Sequence, residues 1–274
     1  MTMELKFKQV DVFTDKPFLG NPVAVVLGAE ALDGEEMQRI ARWTNLPETT
    51  FVLKSERADY HLRIFTPSME LPFAGHPTIG SAHAALESGF VPRKDRLTQE
   101  CGAGIIELSV EGGRIFLKGP QAKLAALGAI PGIELVSPPV KVDVGPVWVI
   151  GEVKDARSLA ALKPDMAALA AWSEANGATG VTVFAKSDDC VAKIHVRSFA
   201  PLHGIPEDPV CGSGNLSVAA FLKSRDSLKT GEAYVARQGA QLGRDGRIFV
   251  RADADGIRIG GHAVTCVEGT LRAR

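Results

Sequence analysis

The chain has 274 residues, of which 45% are hydrophobic and 23% are charged, as in soluble globular proteins, and this length suits two domains. A net charge of −1 and an aromatic content of 6% argue against binding to nucleic acid or to an anionic membrane surface. Four scattered cysteines without C-x-x-C spacing argue against a zinc site and a disulfide framework.

The first eight residues carry charges every few positions and lack an apolar core. They are therefore predicted to be neither a signal peptide nor a membrane span, and we expect a cytoplasmic protein. The sequence contains no P-loop, no strand-linked G-x-G-x-x-G and no H-E-x-x-H motif, so it predicts neither a cofactor nor a metal.

Alternating and apolar patterns in the first half predict strands and two helices. In chain order these are strands over 6–13 and 23–27, a helix over 33–44, strands over 48–53 and 60–65, an apolar helix that follows a glycine turn and runs to 86, and strands over 97–101, 105–110 and 114–117. Asp33 and Glu36 have the spacing of a capping box. Gly112 and Gly113 predict a hairpin turn.

Residues 118–139 are rich in Gly, Ala and Pro without clear periodicity, so we place the link between two domains there, giving domains over 1–120 and 121–274. The alternative for the last strands is that they pair back with the N-terminal half. The predicted second half comprises strands at Val142 and over 147–153, a helix from Asp165, strands over 181–185 and 192–199, a second glycine turn with an apolar helix, and hairpins with turn signals at Asp245-Gly246 and Asp255-Gly256.

Three features recur in the same order in both halves. They are helices opened by Asp33 and Asp165, 132 positions apart, R-x-F-x-P segments beginning at Arg63 and Arg197, 134 apart, and glycine turns at Gly75 and Gly212, 137 apart. A slowly drifting offset indicates a duplicated domain with small insertions. We therefore predict an α+β protein with two pseudo-symmetric halves, each a curled, mainly antiparallel sheet around a central helix.

Each glycine turn leads into a helix of small and apolar residues, which is typical of a buried helix. The free N–H groups at such a helix start can bind an anion. We expect the two turns to meet at the cleft between the halves and to hold an anion near Gly75, His76, Gly212 and Ser213. The alternative is that each turn only starts a core helix.

Glu48, His76 and Asp208 are side chains suited to moving a proton next to a carboxylate. Glu48 has no acidic counterpart in the second half, where Gly180 or Val181 stands, and this favours a catalytic role. His76 would donate or carry a proton. Asp208 would orient His76 or hold a substrate amine or hydroxyl. The structural alternatives are a solvated acid at a strand end, a helix-capping His and an acid at a helix start.

Cys211 directly precedes the second glycine turn and has two interpretations. The helix dipole would lower the pKa of its thiol, which would then act as a second proton-transfer group. Alternatively, Cys211 is a small buried residue in a pocket wall, and we favour this role. A binding or scaffold protein that retains the pocket without turnover is the rival to any enzyme.

Taken together, these segments resemble the phenazine-biosynthesis PhzF-like family, which has the diaminopimelate epimerase-like fold. The matching segments span almost the whole chain and lie at 11–14 (DVFT), 20–25 (GNPVAV), 45–49 (NLPET), 63–67 (RIFTP), 71–78 (LPFAGHPT), 207–210 (EDPV), 212–213 (GS), 238–239 (QG) and 243–244 (GR).

The resemblance implies a homodimer and cofactor-independent isomerase chemistry on a small carboxylate-bearing substrate. In the phenazine enzyme, the Glu of the N-x-x-E-T segment shifts a proton within a dihydro-hydroxyanthranilate, and this role falls on Glu48. The substrate-site positions of the family fall on His76, Asp208 and Ser213.

The sequence departs from the family pattern at Cys211, where Thr is common, and at Arg237, where an acid is usual. The epimerases and racemases of this fold use a Cys in both turns, but the first turn here has Ala74, which excludes a two-thiol mechanism. An epimerase or racemase that uses Glu48 and Cys211 remains the alternative enzyme.

Overall fold

The computed structural model describes residues 3–187 and 189–273, so the first two residues of the N-terminal segment lie outside the described residues. Within these ranges there are eighteen strands and five α-helices. The strands are β1 (Met3–Val12), β2 (Asn21–Leu27), β3 (Thr49–Leu53), β4 (Tyr60–Phe65), β5 (Glu70–Leu71), β6 (Arg96–Cys101), β7 (Gly104–Glu111), β8 (Arg114–Lys118), β9 (Lys123–Ala126), β10 (Val140–Asp143), β11 (Val147–Glu152), β12 (Gly180–Lys186), β13 (Ile194–Ala200), β14 (Ile205–Asp208), β15 (Ala233–Gln238), β16 (Gly246–Asp253), β17 (Gly256–Gly261) and β18 (Ala263–Ala273). The helices are α1 (Gly34–Thr44), α2 (Gly75–Glu87), α3 (Ala156–Ala161), α4 (Met166–Ala175) and α5 (Gly212–Ser224).

The chain divides into two compact units, Met1–Leu117 with Gly260–Arg274, and Lys118–Ile259. In the part of the chain that the structure describes, no helix combines the length and apolar character needed to cross a membrane.

The first unit has a mixed, mainly antiparallel sheet. β1 pairs antiparallel with β2, β2 parallel with β3, β3 antiparallel with β4, and β4 parallel with β6. Each parallel pair is joined through a helix, α1 in the first case and α2 in the second. β18 returns from the end of the chain and pairs antiparallel with the whole of β1.

α2 is buried on nearly every face and packs on β1, β2, β3, β4 and β18. Its small residues allow close approach: a Cβ atom at Gly80 would lie 2.5 Å from Cγ1 of Val23 and 3.0 Å from Cγ2 of Val12. Any larger residue would push the helix away from the sheet. This packing fixes the N-terminus of α2 relative to β2 and β3.

α1 begins at the predicted capping box. Glu36 N–H donates to Asp33 Oδ1, and Asp33 N–H donates to Glu36 Oε2, both at 2.9 Å. Asn45 ends the helix in the left-handed conformation, with φ of 54°. Met37, on the buried face of α1, belongs to the same hydrophobic core cluster of the unit as Phe51 of β3. The turn at Asn45 thus directs the chain into β3.

The second unit repeats this topology. β10 pairs antiparallel with β11, β11 parallel with β12, β12 antiparallel with β13, and β13 parallel with β15. α5 is its buried helix and packs on β10, β11, β12 and β16. β9 pairs with β10 as β18 pairs with β1. The predicted α+β class with two similar halves, each a sheet around a central helix, is confirmed.

The R-x-F-x-P segments make the same side-chain contacts in both units. Arg63 donates two hydrogen bonds of 2.7 Å to Glu70 and lies 5.1 Å from the centre of the Phe65 ring. Arg197 donates two of 2.8 Å to Glu207 and lies 5.0 Å from the ring two residues further on. The duplication inferred from the sequence therefore extends to individual ion pairs.

The sequence interpretation misses one strand and misassigns one turn. Residues 118–139 contain β9, whose four residues are all exposed and therefore show no alternation. The Asp245-Gly246 signal is not a tight hairpin turn: residues 239–245 connect β15 to β16, and Asp245 binds Arg237 and Arg247 instead. The short elements β5, β14 and α3 also lack a predictive pattern.

Candidate active site

Glu48 lies between the end of α1 and the start of β3. Its carbonyl oxygen accepts a hydrogen bond from the Ala24 N–H at 3.2 Å, which ties this residue to the neighbouring strand β2. Its side chain is only 16% exposed. Burial raises the pKa of the carboxyl group to about 7, because the ionised form is poorly solvated. Both protonation states of Glu48 are therefore populated near neutral pH.

His76 is the second residue of α2, and its side chain is 9% exposed. Its Nε2 lies 3.3 Å from Oε2 of Glu48. Ala74 is the N-cap of α2 and makes no side-chain hydrogen bond to the helix. The N–H groups at Gly75 and His76 thus start a helix whose N-cap residue offers no oxygen from its side chain. This places a helix start, an imidazole and a buried acid together in the first unit.

Strand register explains why the acid occurs in one unit alone. Glu48 precedes β3, and Gly180 occupies the matching position in β12 of the second unit. A Cβ atom at Gly180 would lie 2.1 Å from the carbonyl oxygen of Phe199, so the backbone approach there excludes any side chain. The second unit therefore has no place for an equivalent of Glu48.

Asp208 ends β14, and its Oδ1 accepts a hydrogen bond from the Val210 N–H at 3.0 Å. Gln238 fixes the same turn from β15: its Nε2 donates to the Asp208 carbonyl oxygen at 2.9 Å, and its Oε1 accepts from the Cys211 N–H at 3.2 Å. The turn before α5 is thus held by a buried side chain whose role the sequence patterns do not reveal.

Cys211 is the N-cap of α5. Its Sγ accepts a hydrogen bond from the Gly214 N–H at 3.3 Å, and the residue is 5% exposed. Burial, followed by the nearby Asp208 carboxylate, raises the pKa of the thiol well above its usual value. The expected lowering by the helix dipole is therefore wrong, because desolvation outweighs it. Cys211 is a protonated capping residue.

Ser213 is the second residue of α5, next to Gly212. Its Oγ accepts a hydrogen bond from Nε1 of Trp148 at 2.9 Å and lies 3.6 Å from Sγ of Cys211. Sequence reasoning missed Trp148, since a lone Trp in an apolar strand predicts only a core residue.

The structure brings the predicted site residues together in two sets. Glu48, Gly75 and His76 lie together in the first unit, and the remaining four lie together in the second: Asp208, Cys211, Gly212 and Ser213. The meeting of the two glycine turns around one anion stays a prediction.

A cavity of about 480 Å³ lies elsewhere in the first unit, between α1 and the strands β4 and β5. Its lining includes Arg39, Arg63 and Glu70 but none of the predicted site residues. Since Arg63 donates two hydrogen bonds to Glu70 and the charges of the two side chains are already paired, this cavity is a poor candidate for the reaction site. Among the described residues, no group of three His, Cys, Asp or Glu side chains is placed to hold a metal ion.

Comparisons with known proteins agree with this picture. The profile of a family described as Phenazine biosynthesis-like protein matches residues 10–269. The chain is 41% identical over 292 residues to Antisense-enhancing sequence 1 of Schizosaccharomyces pombe, covering 97% of this chain and 98% of that protein. It is 35% identical over 269 residues to trans-2,3-dihydro-3-hydroxyanthranilate isomerase of Pseudomonas aeruginosa, covering 93% and 92%.

Solved structures show the same architecture. The Bacillus anthracis phenazine biosynthesis protein of the PhzF family superposes with a TM-score of 0.89 at 30% identity, covering 98% of this chain and 99% of that one. A hydroxyproline epimerase from Agrobacterium vitis, at 16% identity and a TM-score of 0.67 with 98% and 92% covered, shares the fold alone. The epimerase-like fold inferred from the sequence is therefore confirmed.

Proposed function

Because this chain belongs to the phenazine biosynthesis-like protein family, we propose that it is a cofactor-independent isomerase that moves a proton on a small carboxylate-bearing substrate. Several relatives in this family are named isomerases, among them the P. aeruginosa enzyme. The observation that carries the proposal is the Glu48–His76 pair at the start of α2. An acid with a pKa of about 7 can both take and return a proton near neutral pH.

In the proposed reaction, ionised Glu48 removes a proton from a carbon atom of the substrate. The electron pair of the broken C–H bond moves into the neighbouring π system. The protonated acid, whose proton can exchange with water, then delivers a proton to a different carbon, where a new C–H bond forms. The step balances with a proton alone and leaves Glu48 as it began.

The remaining residues would bind the substrate and stabilise charge. The N–H groups at Gly75 and Gly212 begin buried helices and would hold the carboxylate, whose negative charge grows as the proton leaves. His76, 3.3 Å from Glu48, would donate to the substrate or relay the proton. Asp208 and Ser213 would bind its amine or hydroxyl groups. A cyclic dihydro-hydroxyanthranilate, as in the name of the P. aeruginosa relative, fits this chemistry.

An epimerase that uses a Cys211 thiolate is less well supported than the isomerase. The thiol is buried, caps a helix and has a raised pKa, so little thiolate is available.

A non-catalytic binding or scaffold protein is the second candidate function. It is favoured by the 41% identical S. pombe relative, whose name is not that of an isomerase.

Deuterium exchange separates these functions. The protein is incubated in D₂O with trans-2,3-dihydro-3-hydroxyanthranilate or related carboxylates, and label in recovered compound is measured. We expect uptake by the wild type and a rate about 10²–10⁴-fold lower for Glu48→Gln, the usual contribution of an acid/base group. Glu56→Gln, an exposed acid, is the matched control. Near wild-type exchange in Glu48→Gln would remove Glu48 from the mechanism, and binding without uptake would favour the binding protein.

We also make two broader proposals, one on the cellular compartment and one on the oligomeric state. The protein acts in the cytoplasm, which agrees with its four free cysteines, and it forms a homodimer. Light scattering of the purified protein measures the dimer directly, and a monomer mass would contradict it.

A further inference from the structure

Trp148 makes a specific contact with the predicted substrate site. It lies in β11 and is 3% exposed, and its Nε1 lies 2.9 Å from Oγ of Ser213 at the start of α5. A buried indole N–H requires an acceptor, because an unsatisfied buried donor is costly. Ser213 therefore satisfies Trp148 as much as Trp148 restrains Ser213.

The chemistry of the pair fixes the direction of this hydrogen bond. An indole N–H can only donate, so Ser213 Oγ is the acceptor and its own proton is directed elsewhere. Among the described residues, this hydroxyl has one other contact, with Sγ of Cys211 at 3.6 Å. That sulfur is a weak acceptor and already receives the Gly214 N–H. The Ser213 proton is thus available to a stronger acceptor at the helix start.

The first unit shows that this arrangement is not a general property of the fold. By strand register, Val23 in β2 corresponds to Trp148, and in the matching helix His76 corresponds to Ser213. The first unit has the ring of His76 on the helix and the smaller Val23 on the strand. The second unit has the small Ser213 on the helix and the large ring of Trp148 on the strand. Each helix start therefore has one aromatic N–H group, but it comes from a different element.

We propose that Trp148 is a positioning residue that makes the Ser213 hydroxyl a donor to the substrate carboxylate or to another substrate oxygen. The inference rests on the proposed function for the identity of the ligand. The hydrogen bond between Trp148 and Ser213 can itself be tested without turnover.

Indole NMR tests the hydrogen bond itself. The chain has three tryptophans, so a ¹⁵N-labelled protein gives three indole N–H resonances, and Trp148→Phe identifies the one of interest. We expect this resonance to shift upfield in Ser213→Ala, because the acceptor is lost. Ser224→Ala, at the other end of α5, is the matched control and should leave it in place. An unchanged Trp148 resonance in Ser213→Ala would overturn the proposal.

A double-mutant cycle tests whether Trp148 acts through Ser213. Trp148→Phe keeps the ring and removes the N–H group, and we expect it to weaken 3-hydroxyanthranilate binding and to lower kcat/KM for deuterium exchange by about five- to tenfold, the effect of one hydrogen bond. The double variant Trp148→Phe/Ser213→Ala should be no worse than Ser213→Ala alone. Trp172→Phe is the control for loss of a tryptophan in the same unit.

The outcomes separate this proposal from the proposed function. Additive losses in the cycle would show that Trp148 has only a packing role and would overturn the inference. If the wild type binds 3-hydroxyanthranilate but catalyses no exchange, the proposed function fails, while the indole shift and the binding cycle still decide the role of Trp148.

Discussion

Glu48 couples the stability of the protein to pH, because its pKa is about 7 in the folded chain and about 4.5 when solvated. Between these values the folded state binds more protons than the unfolded state, so the free energy of unfolding falls as pH rises. The neutral Glu48 carboxyl group makes its full contribution to the free energy of unfolding below pH 4.5, and this contribution is lost as pH rises through 7. Glu48→Gln stays neutral. We therefore expect its free energy of unfolding, relative to that of the wild type, to rise by about 3 kcal/mol between pH 4.5 and pH 8. Urea unfolding at a series of pH values measures this difference.

The control for this experiment is Glu56→Gln, which removes an exposed carboxylate from the same unit. Its free energy of unfolding should follow the wild-type pH dependence. A Glu48→Gln variant that runs parallel to the wild type at all pH values would show that the Glu48 carboxyl is not desolvated.

Cys211 is another buried titratable residue of the candidate site, and we expect it to act as a helix cap rather than as an acid or base. Cys211→Thr replaces Sγ with a hydroxyl that also caps a helix, so it should fold and keep activity within about tenfold of the wild type. Cys211→Val has a similar shape without the acceptor and should lose about 1 kcal/mol of stability. Chemical denaturation and deuterium exchange measure the two effects.

Thiol labelling gives an independent readout of the same residue. Iodoacetamide should modify the exposed Cys190 before the buried Cys211, because the reactive species is the accessible thiolate. A folded but inactive Cys211→Thr, or fast labelling of Cys211 with protection by ligand, would restore a thiol to the mechanism.

At the level of elements, the sequence predicts those that combine length with local signals. α1 was predictable from the capping box of Asp33 and Glu36, and the two buried helices from glycine turns followed by small residues. β9 and β14 were not, because they are short and their residues show no alternation of burial.

The residues of the candidate site also differ in how well the sequence predicts them. Glu48 and His76 stand out in the sequence because of their chemistry and position, and the structure places them 3.3 Å apart. The sequence gives no role to Trp148, and Gln238 stands out only as part of the matching 238–239 segment, because their roles depend on contacts with residues 65 and 27 to 30 positions away, and such pairings are set by the tertiary fold. Local patterns therefore identify reactive groups better than the groups that position them.

The repeated Arg–Glu pairs of β4–β5 and β13–β14 allow a comparison within one molecule. Arg197 and Glu207 have side chains only 7% and 9% exposed, whereas Arg63 and Glu70 are 27% and 42% exposed. Removing one partner of a buried pair leaves an uncompensated charge. We expect Glu207→Gln to cost about 3 kcal/mol of stability, and Glu70→Gln less than about 1 kcal/mol. Denaturant unfolding of both variants measures the difference.

Each variant of this pair serves as the control for the other, since both remove a carboxylate that binds an arginine through two hydrogen bonds. Equal losses would show that burial does not decide the strength of the repeated ion pair. Salt should reduce the Glu70→Gln effect further and leave the Glu207→Gln effect largely intact, because solvent screens the exposed pair.

At the scale of the whole molecule, duplication supplied two scaffolds of the same topology, and the side chains at the helix starts then diverged. The first unit has Glu48 and His76, and the second has Cys211 and Ser213 at a turn fixed by Gln238. The fold therefore sets two helix starts, while the chemistry of each depends on residues outside the repeated pattern.

The last strand of the chain tests how each unit is completed. β18 follows the second unit in sequence but pairs with β1 from Met3↔Ala273 to Val12↔Ala263, so it belongs to the first. Deleting residues from 264 onwards would leave one edge of β1 unpaired, next to the fully buried Val10 and Val12. In hydrogen exchange by mass spectrometry, β1, β2 and α2 should lose protection first, while β10 to β13 stay protected. Deleting only residues 273–274 is the control and should change little, and a uniform loss across both units would show that they do not unfold separately.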